Sequence, residues 1–151
     1  MSALARLKDL GHALPPVAAP AGAYIPARRS GNLVFTAGQV PFVDGVVAAT
    51  GKVGAEVSAE QAYDLARICT LNALAAVDAL VGLDSVTGVV KVVGFVASDP
   101  SFTGQPGVVN GASDLLGEVF GESGAHARSA VGVAVLPLDV PVEVELVVEV
   151  G

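Results

Sequence analysis

The chain is poor in the residues that usually build reactive centres. It has one cysteine, Cys69, and two histidines, His12 and His126, in 151 residues. A single thiol excludes an intramolecular disulfide and any cysteine-built zinc site. Cys69 sits among helix formers, where a small buried apolar residue is the plain reading. Two histidines are too few for a histidine-rich metal site. There is no GxGxxG turn, P-loop, HExxH or GxSxG nucleophile elbow.

Basic charge is equally scarce. Eight Lys and Arg stand against fifteen Asp and Glu, a formal charge of −7. The only adjacent basic pair is Arg28–Arg29. Phosphate contacts need clustered cations, so a nucleic-acid partner is not expected. No run approaches the roughly 20 apolar residues of a membrane span. Lys8 and Asp9 interrupt the N-terminal stretch where a signal peptide needs continuous apolar sequence, so a cytoplasmic, membrane-free protein is expected. Charged residues make up only 15% of the chain and apolar ones 52%. A single domain of this length needs more charge to cover its surface as a monomer, which predicts burial against other chains in a symmetric homo-oligomer.

The residues present read as one α+β domain. Ala3 to Leu10 predicts a short helix, and Pro15 to Gly22 an extended Pro/Ala leader, so residues 1–21 are set apart from a domain over 22–151. Ser30–Gly31–Asn32 turns into the β-rich Leu33 to Thr36, and Asp44–Gly45 suggests a hairpin or short irregular strands. Ser58 with Gln61 forms a capping box ahead of a long apolar helix through Leu80, stopped by Gly82. Val86 to Val96 is a β-branched strand. Val108 to Phe120 follows a helical period, which makes Asn110–Gly111 helical rather than a turn. Ala125 to Leu136 and Val142 to Val150, separated by Pro137–Pro141, read as a β-hairpin. The result is a mixed sheet with two helices packed on one face.

Alternation divides that last pair of segments into faces. Val142, Val144, Leu146, Val148 and Val150 share one side of their strand, and Glu143, Glu145 and Glu149 the other. In the preceding strand Val131, Val133 and Val135 oppose His126, Arg128, Ala130, Gly132 and Ala134. Turning both valine faces toward the helices places Arg128 beside the glutamates, on a floor of small residues with room for a ligand or a neighbouring subunit. Arginine suits a small carboxylate through two parallel hydrogen bonds, and a glutamate nearby can orient water or shuttle a proton. A solvated face of paired charges is the alternative. His126 is assigned to packing at a strand end.

Several stretches carry a resemblance: SGNLVFTAGQVP, Gly94–Val96, Asn110, and above all HARSAVGVAVLPLDVPVEVE. From about Tyr24 onward the chain resembles the reactive intermediate deaminase (RidA/YjgF) superfamily, in a longer, divergent form. The resemblance implies a chorismate-mutase-like fold, a homotrimer with ligand clefts between subunits, and no metal or organic cofactor. The implied activity is hydrolysis of 2-imino and enamine acids to 2-oxo acids and ammonia. It further implies that Arg128 grips the substrate carboxylate and Glu143 positions the attacking water. Tyr24, Gly38 and Asn110 would line the cleft, and Ala130 would adjoin the ligand. Many relatives carry Cys or Ser in place of Ala130 and often Ser in place of Ala37. That departure keeps open a carboxylate-binding protein without turnover; an endoribonuclease is a third alternative.

Overall fold

A computed structural model describes all of residues 1–151. The elements run α1 (Ala3–Asp9), β1 (Ala27–Ser30), β2 (Leu33–Thr36), β3 (Phe42–Val43), β4 (Val46–Val47), α2 (Ala59–Val81), β5 (Val86–Ala97), α3 (Gln105–Phe120), β6 (Ala127–Val133) and β7 (Val142–Val150), with single 3-10 turns between some of them. Local chemistry accounts for most boundaries. The Ser58 hydroxyl accepts a hydrogen bond from the Gln61 N–H at the start of α2, and Gly82 ends that helix with φ 79°. Gly121, with φ 63°, ends α3. Asp44 and Gly45 both take positive φ between β3 and β4, as a two-residue hairpin requires.

The main sheet has the order β1-β2-β7-β5-β6, all antiparallel except the parallel β5–β6 pair. The expected terminal hairpin therefore does not form: β5 lies between β6 and β7. The reason is α3. A strand, a crossover helix and the next strand make a parallel neighbour pair, which commits β6 to one edge of β5 and leaves the other edge for β7. The segment 134–141 is then a passage across the end of β5 rather than a hairpin turn.

Helices α2 and α3 cover one face of the sheet. Val142, Val144, Leu146, Val148 and Val150 of β7 point into that layer and are buried with Leu65, Leu74, Leu115 and Leu116. The helices approach one another closely at Gly111, where a Cβ would lie 2.1 Å from the Tyr63 carbonyl oxygen. Helix α1 docks against the same core through Leu7, which is 2% exposed. No helix is long and apolar enough to cross a membrane.

The other sheet face is bare. Register places Glu143, Phe95 and Val131 in one row across it, and Glu145, Val93 and Ser129 in the next. Phe35 and Val131 are 44% and 42% exposed there.

Candidate active site

The same register reverses the expected faces of β6. Arg128 pairs through Val92 with Leu146, and Ala130 through Gly94 with Val144, so both lie on the helix-covered side. Val131 points away from the helices and is exposed, and Val135, beyond the end of β6, is exposed as well. Arg128 and Glu143 therefore occupy opposite faces of the sheet, not the shared floor that alternation suggested. The small residues make room for α3. A Cβ on Gly132 would sit 2.8 Å from the Gln105 amide nitrogen, and Ala130 packs against the core.

One group of candidate residues gathers at the outer edge of the sheet. The Arg128 Nη1 donates to the Asn110 side-chain oxygen at 2.7 Å and to the Ser113 hydroxyl at 3.2 Å. Its Nη2 donates to the Pro106 carbonyl at 3.4 Å. Asn110 and Ser113 stand three residues apart on α3, the spacing that puts two side chains on one helix face. Two of the five guanidinium hydrogens, on Nε and Nη2, remain free, enough to address a carboxylate with two hydrogen bonds.

His126 anchors the far end of this network. Its Nδ1 lies 2.6 Å from the Gly124 carbonyl oxygen, which can only accept, so Nδ1 carries a proton. In the neutral ring, Nε2 then accepts from the Ser113 hydroxyl at 2.8 Å, leaving the Ser113 oxygen a lone pair for Arg128. His126 does pack at a strand end, but it also orients the serine that holds the arginine. Sequence reading passed over Ser113, although its spacing from Asn110 was visible.

A second group lines a cleft of about 410 Å³ at the start of β7. Tyr24, Gly38, Gln39, Phe42, Leu138 and Glu143 contribute to its walls. Glu143 is half-buried, and its carboxyl is held above the usual carboxylate range, first by burial and second by the neighbouring charge of Glu145. Neither cause is a hydrogen bond. Gly38 makes the space for it: a Cβ there would lie 2.7 Å from the Glu143 Oε2. The Tyr24 hydroxyl accepts a hydrogen bond from the Ala21 N–H at 3.1 Å, which folds the end of the N-terminal leader into the wall.

Leu138 is the unexpected member. It has φ 60° and ψ 17°, and Asp139 follows with φ 56°. A non-glycine residue in this region costs of order 1–3 kcal/mol. The conformation is held from outside: Lys52 pairs with the Asp139 carboxylate, and the Gly51 N–H donates to the Asp139 carbonyl at 2.9 Å. The clamp leaves Leu138 63% exposed at the mouth of the Glu143 cleft.

Cys69 takes no part in either group as a nucleophile. It is fully buried, its Sγ lies 3.6 Å from the Val142 carbonyl oxygen, and burial pushes the thiol up. No cluster of three or more His, Cys, Asp or Glu side chains is arranged to hold a metal ion.

Comparison with known proteins agrees with this architecture. Residues 4–150 match a family model described as "YjgF/chorismate mutase-like, putative endoribonuclease". The chain is 46% identical over 147 residues to protein TCP17 of Trypanosoma cruzi, covering 96% of this chain and 92% of that one. It superposes with a TM-score of 0.91 on a protein of unknown function from Agrobacterium tumefaciens, at 43% identity and with 99% and 94% of the two chains covered. Escherichia coli TdcF, solved with bound serine, is 26% identical with a TM-score of 0.65, over 91% of this chain and 94% of that one.

Proposed function

Because the chain belongs to the RidA/YjgF superfamily and adopts its chorismate-mutase-like fold, we propose that it hydrolyses reactive 2-imino and enamine acids to 2-oxo acids and ammonia, in clefts between subunits of a homotrimer. The observation that carries this reading is the division of the two groups. Arg128, with two free donors, lies on the helix-covered face at the edge strand β6. Glu143, with its raised carboxyl, lies on the bare face. One chain cannot bring both to one small molecule, but an edge strand and a bare face are what a second copy can complete.

In such a cleft Arg128 of one subunit binds the substrate carboxylate side-on, held by Asn110 and Ser113. Ala130 stands next to it on the same face. Glu143 of another subunit, beside Gly38 and Tyr24, orients a water against the imine carbon. The water oxygen bonds to that carbon as the C=N π pair moves to nitrogen. Glu143 takes a proton from the water and returns one to the nitrogen. In the collapse of the carbinolamine Glu143 passes the hydroxyl proton to the amino nitrogen, and the C–N bond breaks as the carbonyl forms, releasing ammonia. Oxidation states do not change, so no redox cofactor is called for. A carboxyl titrating above its usual range is a stronger base once ionised, which suits this shuttle.

The serine bound to TdcF supports a small ligand bearing a carboxylate. A cytoplasmic setting fits, because pyridoxal-phosphate enzymes there release imines of this kind. The direct experiment generates 2-iminopropionate or 2-iminobutyrate in situ in the presence of semicarbazide. The protein is expected to suppress semicarbazone formation; a rate equal to that of buffer alone contradicts the proposal.

Ala130 and Ala37 favour one second reading, a carboxylate-binding protein without turnover, since neither residue offers a thiol or hydroxyl. Calorimetry would then show 2-oxo acid binding that depends on Arg128, with no deamination. An endoribonuclease activity fits the surface poorly. The charge of −7 offers phosphate no cationic stripe, and the bare sheet face carries three glutamates.

A further inference from the structure

The cleft at Glu143 is larger and more apolar than a three-carbon imino acid needs. Its volume of about 410 Å³ holds roughly a dozen waters at about 30 Å³ each. It does not end at the catalytic side. A second cavity of about 360 Å³, between the leader and the β3–β4 hairpin, borders it, with Ala18, Ala19 and Phe42 in the walls of both. The Asn72 amide, which lines the second cavity, donates to the carbonyls of Val40 and Phe42 at 3.0 and 3.2 Å.

From these walls we infer that the Glu143 cleft extends into an apolar subsite, formed by Ala18, Ala19, Phe42 and Leu138, which takes the side chain of a branched aliphatic or aromatic 2-imino acid. The inference rests on the deaminase reading and deepens it by naming the substrate class. Two independent features converge on the same space. The Pro/Ala leader contributes a wall without charge or hydrogen-bonding side chains. The clamp of Lys52 and Gly51 on Asp139 holds a leucine in an unfavourable backbone conformation and presents it, largely exposed, to the cleft. An exposed leucine held in this way has a use if a ligand covers it. A substrate anchored by its carboxylate and with its imine carbon facing Glu143 has only its side chain left to place, and the apolar part of the same cleft is where that side chain goes.

The test is calorimetry on the intact oligomer with pyruvate, 2-oxobutyrate, 4-methyl-2-oxopentanoate and phenylpyruvate as product probes. Affinity is expected to rise along the aliphatic series by about four-fold per buried methylene, with phenylpyruvate also tighter than pyruvate. Leu138→Ala should lower the preference for 4-methyl-2-oxopentanoate over pyruvate by about ten-fold. Ala18→Phe, which fills the subsite from the leader side, should lower it as well. Pyruvate binding with a flat or falling series overturns the subsite and leaves the deaminase reading standing. So does a preference that neither variant changes. Failure of every acid to bind overturns both.

Discussion

Glu143→Gln is expected to cost about 10²–10⁴-fold in deamination, the range typical for loss of a positioned proton-transfer group, and at the same time to stabilise the fold at neutral pH. Both effects come from one environment. Burial and the Glu145 charge raise the carboxyl of Glu143. Between its unfolded and folded titration ranges the native state therefore binds more proton than the unfolded chain. Stability is fully present below the unfolded range and falls as pH rises through the folded one. An amide of the same size fits the space left by Gly38 without that ionisation cost. The variant should melt above wild type at pH 8, and the gap should close toward pH 4. Thermal unfolding across that range, paired with the semicarbazone assay, checks both halves. An active Glu143→Gln protein, or a stability gain confined to low pH, contradicts the assignment.

Arg128→Ala is expected to weaken 2-oxo acid binding by about 30- to 4,000-fold, as truncating one partner of a hydrogen-bonded charge pair costs about 2–5 kcal/mol. The loss should fall on ligand rather than on fold. Asn110, left without its donor, is exposed and free to bond water instead. Arg128→Lys should recover only part of the affinity, because an ammonium restores the charge without the planar pair of donors. Calorimetry with pyruvate separates the three proteins, and an alanine variant that binds as tightly as wild type would remove Arg128 from the site.

Much of the fold was legible in the sequence, and the places where reading failed have physical causes. The Ser58 cap and the glycine stops at Gly82 and Gly121 are local chemistry, so α2 and α3 fell where periodicity placed them. The hairpin at Pro137–Pro141 failed because strand pairing is non-local: the α3 crossover, not loop length, decides that β5 separates β6 from β7. The faces of β6 failed for a related reason. Alternation sorts residues into two sets but does not say which set meets the helices. Here the choice runs against hydrophobicity, with valines outward and Arg128, Ala130 and Gly132 under α3. Tyr24, Gly38 and Glu143 line one cleft, and Asn110 lies apart from them, against Arg128. Leu138 was not legible, because a strained backbone held by distant Lys52 leaves no mark in its own neighbourhood of sequence.

The central claim is that Arg128 and Glu143 act together only across two copies of the chain. Mixing two inactive variants tests it most directly. Arg128→Ala and Glu143→Gln chains, carrying different tags, are co-expressed, and the doubly tagged oligomers are isolated and assayed for imine hydrolysis. In a mixed trimer about one cleft in three pairs an intact Arg128 from one variant with an intact Glu143 from the other. Activity is therefore predicted to return to a substantial fraction of wild type, well above that of either parent. Mixed oligomers that form but remain as inactive as their parents would contradict the account.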